Sequence, residues 1–264
     1  MTDRCGDDGA DERSRRIVES HQPAVVMPEQ AEGFTRLLKF LKFELVHIRL
    51  KWRVYQAFYG TNTERLDLLN SVSGTTAVII QDALYNDVIL SLCRLGDRAS
   101  SRGRANNSYK ALLEMLEEGP LKLRLSELIR EFGDMCKPLI SRRNWFVAHS
   151  DRRAVFDGAG EGVVSGPEVD SAIEAARSVL TFIYSEMFDT RISTEVVSHY
   201  AHDEVVFLRT LYHGKNQLSH LEANALAKLN QPGDPRQTPP EFAALREIRE
   251  MPEWLNYRPP EKRD

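Results

Sequence analysis

Between Phe34 and Tyr59 the residues Phe34, Leu38, Leu41, Leu45, Ile48, Trp52, Tyr55 and Tyr59 recur at alternating spacings of four and three. That period returns side chains to one face of a helix. The spacing therefore predicts one long amphipathic helix, stopped at Gly60, whose apolar stripe needs other helices to cover it. A second apolar segment follows Gly74, from Val78, Ile79 and Ile80 through Leu84, Val88, Ile89 and Leu92 to Leu95. Its apolar residues cover most of the circumference, which predicts a central, buried helix ending at Gly96.

The remaining chain reads in the same way. Residues 97–108 are polar and loop-like, and short helical faces follow at Leu112–Leu116 and Leu125–Cys136. Pro138 starts a new helix or kinks the old one. Ser165 and Glu168 form a capping-box pattern ahead of Val169, Ile173, Ala176, Leu180, Ile183 and Met187, a further amphipathic helix. A weaker helical region spans roughly 193–230. No long period-two run and no internal repeat occurs. The expected organisation is a flexible tail at 1–27, a helical bundle at 28–190, a helical extension at 191–230 and an extended tail at 231–264, where seven of the twelve prolines fall. The fold class is all-α, an up-and-down bundle of four to five helices with a C-terminal helical extension.

Charge and cysteine usage limit the function classes. The net charge is −4, so any nucleic-acid contact must be local. The three cysteines, Cys5, Cys93 and Cys136, form no C-x-x-C pair and point to a reducing compartment. No apolar run reaches the ~18–20 residues of a membrane span, and the charged N-terminus lacks an apolar signal core. The expectation is a cytoplasmic protein with no membrane contact, no metal and no cofactor. P-loop, G-x-G-x-x-G and G-x-S-x-G patterns are missing.

The stretch RNWFVAHSD, Arg143 to Asp151, offers chemistry. Arg143 is a permanent planar cation suited to phosphate. His149 can give and take protons near neutral pH, and Asn144 adds a neutral donor and acceptor. Metal-free RNA cleavage needs little more: a base for the 2′-OH, an acid for the leaving 5′-oxygen and a cation for the phosphate. Arg143 and His149 stand six residues apart, about 120° around an ideal helix, whereas Arg142 is nearly in line with His149. Either arginine can serve. One histidine cannot be base and acid in a single step, but a two-fold dimer would bring two histidines into one cleft. Lys137, Arg142, Arg143, Arg152 and Arg153 against Asp151 alone form a basic island that counterion release would draw to RNA. The competing reading is a helix end with a satisfied histidine and solvated arginines.

The pattern R-N-x-x-x-x-H near the end of a bundle helix resembles the HEPN superfamily of helical nucleotide- and RNA-handling proteins. Arg143 matches its arginine, Asn144 the polar neighbour and His149 the histidine. LLNSVSGTTAVIIQDALYNDVILSLCRLGD, followed at a distance by RRNWFVAHSD, is similar to the abortive-infection type U branch. Asp87, Arg94 and Asp97 carry the first of these patterns. The resemblance covers roughly residues 30–190. It implies a homodimer formed through the face carrying Arg143 and His149, acting as a metal-independent endoribonuclease in phage defence or as a toxin, with an antitoxin possible. His149 would be base and acid, Arg143 the phosphate stabiliser and Asn144 an orienting group. Lys137, Arg142, Arg152 and Arg153 would bind RNA, and Asp87, Arg94 and Asp151 would support the site from behind. Superfamily toxins controlled by adenylylation carry a tyrosine where this chain has Asp151. The alternative function is a non-catalytic module that binds a nucleotide, RNA or a protein partner.

Other constellations are weaker. His199 and His202 with Asp203 and Glu204 lack the i, i+4 spacing usual for helical zinc pairs. His47 reads as a packed or half-exposed histidine. Arg94, Arg98, Arg102 and Arg104 form a second basic cluster, read either as a solvated loop or as an aid in gripping RNA.

Overall fold

A computed structural model describes residues 26–144, 164–194 and 203–229. A 3-10 turn at Pro28–Gln30 leads into α1 (Ala31–Tyr59) and α2 (Thr63–Leu95). A short hairpin, β1 (Ser100–Ser101) and β2 (Arg104–Ala105), precedes α3 (Tyr109–Glu114), α4 (Pro120–Met135) and α5 (Lys137–Arg142). Then follow α6 (Gly166–Phe188) and α7 (Asp203–Leu229). The fold is an all-α helical bundle, as the periodicity required.

The stripe on α1 is the spine of the core. Phe34, Leu38, Leu41, Leu45, Ile48 and Trp52 are buried, and their helix meets the buried half of α2, α3 and the apolar face of α6. The six buried side chains remove several hundred Å² of apolar surface from water, at roughly 25 cal/mol per Å². Polar ties fix the register. The Trp52 indole N–H donates to Asp170 Oδ1 at 2.6 Å, joining α1 to α6. The fully buried Tyr109 donates its hydroxyl to the Ala176 carbonyl at 3.1 Å, joining α3 to α6. Ser165 and Glu168 form the expected capping box at the start of α6.

Three sequence expectations need correction. First, α2 does not begin at Gly74. Asn62 caps it by accepting from the Arg65 N–H at 3.1 Å, and Ser73, at φ −163° and ψ 86°, bends it midway. Second, α2 is not buried throughout. Val88, Ile89, Leu92 and Leu95 are buried, but Val78, Ile79 and Ile80 are 52%, 62% and 38% exposed. An apolar circumference records what a helix could bury, and only the second half meets the main core. The first half contributes Leu69 and Ala77 to a smaller cluster with Phe58 of α1 and Leu208 of α7. Third, α2 holds an 18-residue window of mean hydropathy 1.3, long and apolar enough to cross a membrane by length and composition. A windowed average tolerates the interspersed Asp82 and Asp87 that break an uninterrupted run.

The polar stretch after α2 also contains more order than a loop. Arg102 and Gly103 both take positive φ, 50° and 76°, the geometry of a two-residue turn that matches strand twist. It pairs Ser100 with Ala105 and Ser101 with Arg104.

The division of α2 sets a contrast measurable by urea denaturation. Ile89→Ala is expected to cost about 2–5 kcal/mol, because it leaves a cavity in the main core. Ile79→Ala on the exposed half is expected to change stability by no more than about 0.5 kcal/mol.

Candidate functional site

The site is built where α5 meets the end of α2. Cys136 closes α4, and Pro138 sits in the first turn of α5, where its missing N–H costs nothing. The buried Leu139 faces the core and turns Arg142 and Arg143 toward α2. At Arg143 and Asn144 the backbone passes into wider π-type winding, a local departure often found at functional sites.

The two adjacent arginines part company. The Arg142 guanidinium lies over the Tyr85 ring, 5.0 Å from its centroid. Tyr85 stands 5.5 Å from the Tyr55 ring, and its hydroxyl donates to the Val164 carbonyl at the threshold of α6. Burial raises the Tyr85 phenol, and the Arg142 charge pulls the other way. Arg142 thus belongs to an aromatic staple between α5, α2 and α1. Arg143 reaches the other way: its Nη1 donates to Asp97 Oδ1 at 3.2 Å, and its Nε donates to Asn144 Oδ1 at 3.2 Å. The guanidinium side chain is 26% exposed and Asp97 41%, so the pair lies at the surface with donors left over for a ligand.

Asp97 is held by the way α2 ends. Gly96 closes the helix, and its N–H donates to the Cys93 carbonyl. A Cβ at Gly96 would stand 3.3 Å from the Phe132 ring, so glycine lets the helix end press onto α4. The negative end of the helix dipole adds to the Asp97 charge, and both draw a cation to this spot.

Cys93, one turn before Asp97, senses the same pair. Burial pushes its thiol up to about 11; Arg143 lowers it and Asp97 raises it. Cys136 is raised too, first by burial and then by Cys93. Both thiols are free and buried.

The other candidate residues fall as follows. Asp87 pairs with Lys51 of α1, and Arg94 is exposed. Among the described residues neither touches Arg143; the carboxylate that does is Asp97. Only the D-V-I-L…R-L-x-D pattern singles it out in sequence, because its partner lies 46 positions away. Lys137 pairs with Asp134 at 2.8 Å, so the basic island is partly neutralised from its own helix approach. His149, Asp151, Arg152 and Arg153 lie outside the described residues, as do His199 and His202. Asp203 is exposed, and the buried Glu204 pairs with Arg53 at 3.4 Å. His47 is half-buried with its ring edge-on to Phe43. The described residues hold no group of histidine, cysteine and acidic side chains suited to a metal ion.

An all-helical bundle that turns an arginine and its polar neighbour out at the end of a short bundle helix has the form of a HEPN module. The AbiU2 family model, HEPN_AbiU2, matches residues 31–208, from the first residue of α1 into α7, and the chain belongs to that family. No curated protein and no solved structure matches the chain.

The Cys93 shift has a consequence for stability. Between pH 9 and about 11 the unfolded thiol loses its proton while the folded one keeps it. Stability from this group is therefore full below pH 9 and is lost as pH rises through about 11. Urea unfolding followed across that range is expected to show the decline, and Cys93→Ser to reduce it. Asp97→Asn is expected to move stability at neutral pH by less than about 1 kcal/mol, as a partly exposed pair should. The same substitution should make the alkaline decline smaller and end it at a lower pH, with its onset near pH 9 unchanged, since Asp97 raises only the folded thiol.

Proposed function

We propose that this chain is a HEPN-type endoribonuclease that works without a metal, as a homodimer, in phage defence or as a toxin in the cytoplasm. The observation that carries this reading is Arg143. It stands at the end of a short bundle helix with its head steadied by Asp97 and Asn144. It keeps donors to spare, and the motif places His149 six residues on. The chemistry divides simply. His149 takes the proton from a ribose 2′-OH, and that oxygen attacks the adjacent phosphorus. The bond to the 5′-oxygen breaks, leaving a 2′,3′-cyclic phosphate. The leaving oxygen takes a proton from the partner's His149 and becomes a 5′-hydroxyl. Arg143 offsets the charge that builds on the phosphate oxygens. Asn144 holds Arg143 Nε and so orients the fork.

Arg142, Lys137, Arg152 and Arg153 divide in this reading. Arg142 supports the site through Tyr85, and Lys137 is paired with Asp134, so both contribute less to RNA than the sequence implied. That thinning of the basic island favours a second reading, a non-catalytic HEPN module that binds RNA, a nucleotide or a protein partner.

Purified protein incubated with labelled RNA in the presence of chelator separates the two. Wild type is expected to cut and leave cyclic-phosphate ends. Arg143→Ala and His149→Ala should each lose at least about 100-fold in rate, the scale of a removed acid–base or oxyanion group. Equal cleavage by all three, or none by wild type, removes the nuclease reading. Sedimentation of the wild type should give twice the chain mass, and a monomer would remove the dimer.

A further inference from the structure

We propose that the hairpin after α2, bearing Arg98, Arg102 and Arg104, with Arg94 behind it, is a phosphate grip that extends the Arg143 site along single-stranded RNA. The proposal rests on the RNA reading of that site and names the surface that holds the strand.

The first observation concerns pairing. Several exposed and half-exposed cations on this acidic protein are matched, among them Lys51 with Asp87, Arg53 with Glu204, Arg124 with Glu127 and Lys137 with Asp134. Lys39, Lys110, Arg191 and Arg209, unmatched among the described residues, are scattered singly along the chain. Arg94, Arg98, Arg102 and Arg104 are all exposed, and among the described residues none has a carboxylate partner. The only acid in that stretch, Asp97, is given to Arg143. Four like charges held close together repel one another, and that cost is offset when an anion arrives from outside.

The second observation is order. The turn at Arg102 and Gly103 fixes the hairpin. Asn106 locks its base, donating its N–H to the Ala99 carbonyl at 2.7 Å and its Nδ2 to the Arg98 carbonyl at 2.8 Å. Ala99 is buried and anchors the base to the core. The arginines are therefore presented from a built element. The third observation is place. The hairpin leaves directly from Asp97, the residue that holds Arg143. A chain reaches at most about 3.6 Å per residue, so Arg102 lies within about 18 Å of Asp97. A strand lying on Arg143 can meet the hairpin with its neighbouring phosphates, and guanidinium forks suit those phosphates.

The test is the salt dependence of binding by the full chain. The probe is a fluorescent single-stranded 2′-O-methyl oligoribonucleotide, which lacks the attacking hydroxyl and so stays intact. The variant Arg98→Gln, Arg102→Asn, Arg104→Gln removes three charges and keeps a residue tolerant of positive φ at the turn. Each lost phosphate contact lowers the slope of log K against log salt by about 0.7 for a single strand. The triple variant should therefore lose about 2 units of slope and bind at least about 10-fold more weakly at low salt. Arg124→Gln, on α4, should match wild type. A triple variant with wild-type slope and affinity overturns the grip, whether or not the protein cleaves RNA. Loss of slope in a protein that cleaves no RNA leaves the grip standing and removes the nuclease. A wild type that ignores the RNA but binds polyglutamate overturns the grip in favour of an acidic polypeptide.

Discussion

The candidate site depends on how α2 is brought to a stop. Gly96 lets the helix end lie against the Phe132 ring, where an added Cβ would make a tight 3.3 Å contact. That contact places Asp97 at the surface, where it takes Arg143 from α5. The following hairpin leaves from the same point. One close approach between α2 and α4 thus sets the positions of an acid, the cation it holds and a row of further cations. The buried half of α2 supplies the rigidity, with Val88, Ile89, Leu92 and Leu95 fixed in the main core.

Pairing, more than composition, decides where this surface is positive. The chain carries a net charge of −4, and the motif region reads as a basic island. Within the described residues that island loses Lys137 to Asp134, and Arg142 is laid on an aromatic ring. Among the described residues the unpaired charge stands earlier in the chain, on the hairpin that follows α2. Counting charges along the chain misplaces it, because a lysine three residues from an aspartate on adjoining helical turns is already matched.

Much of the fold was legible. The four-and-three stripe on α1 named six of its buried residues, missed Leu37 and Phe58 and included the half-buried Tyr55 and Tyr59, and Ser165 with Glu168 marked the start of α6. What periodicity could not do was say whether an apolar face finds a partner, which is why Val78–Ile80 read as core and stand exposed. Of the site, Arg143 and Asn144 were legible from the motif. The pairing of Arg143 with Asp97 and the seat of Arg142 on Tyr85 were not. They join residues far apart in the chain, and spacing rules speak only of neighbours on one element. The hairpin was hidden for a different reason: its strands are two residues long, too short to show alternation.

The buried apolar contacts fall into two sets that share α1. The smaller set, Phe58, Leu69, Ala77 and Leu208, ties α7 and the leading half of α2 to the far end of α1. A set of that size buries little surface, so it opens at lower free energy than the rest. Amide hydrogens there should exchange with solvent sooner than those around the larger set, which holds the second half of α2 next to Asp97 and Arg143.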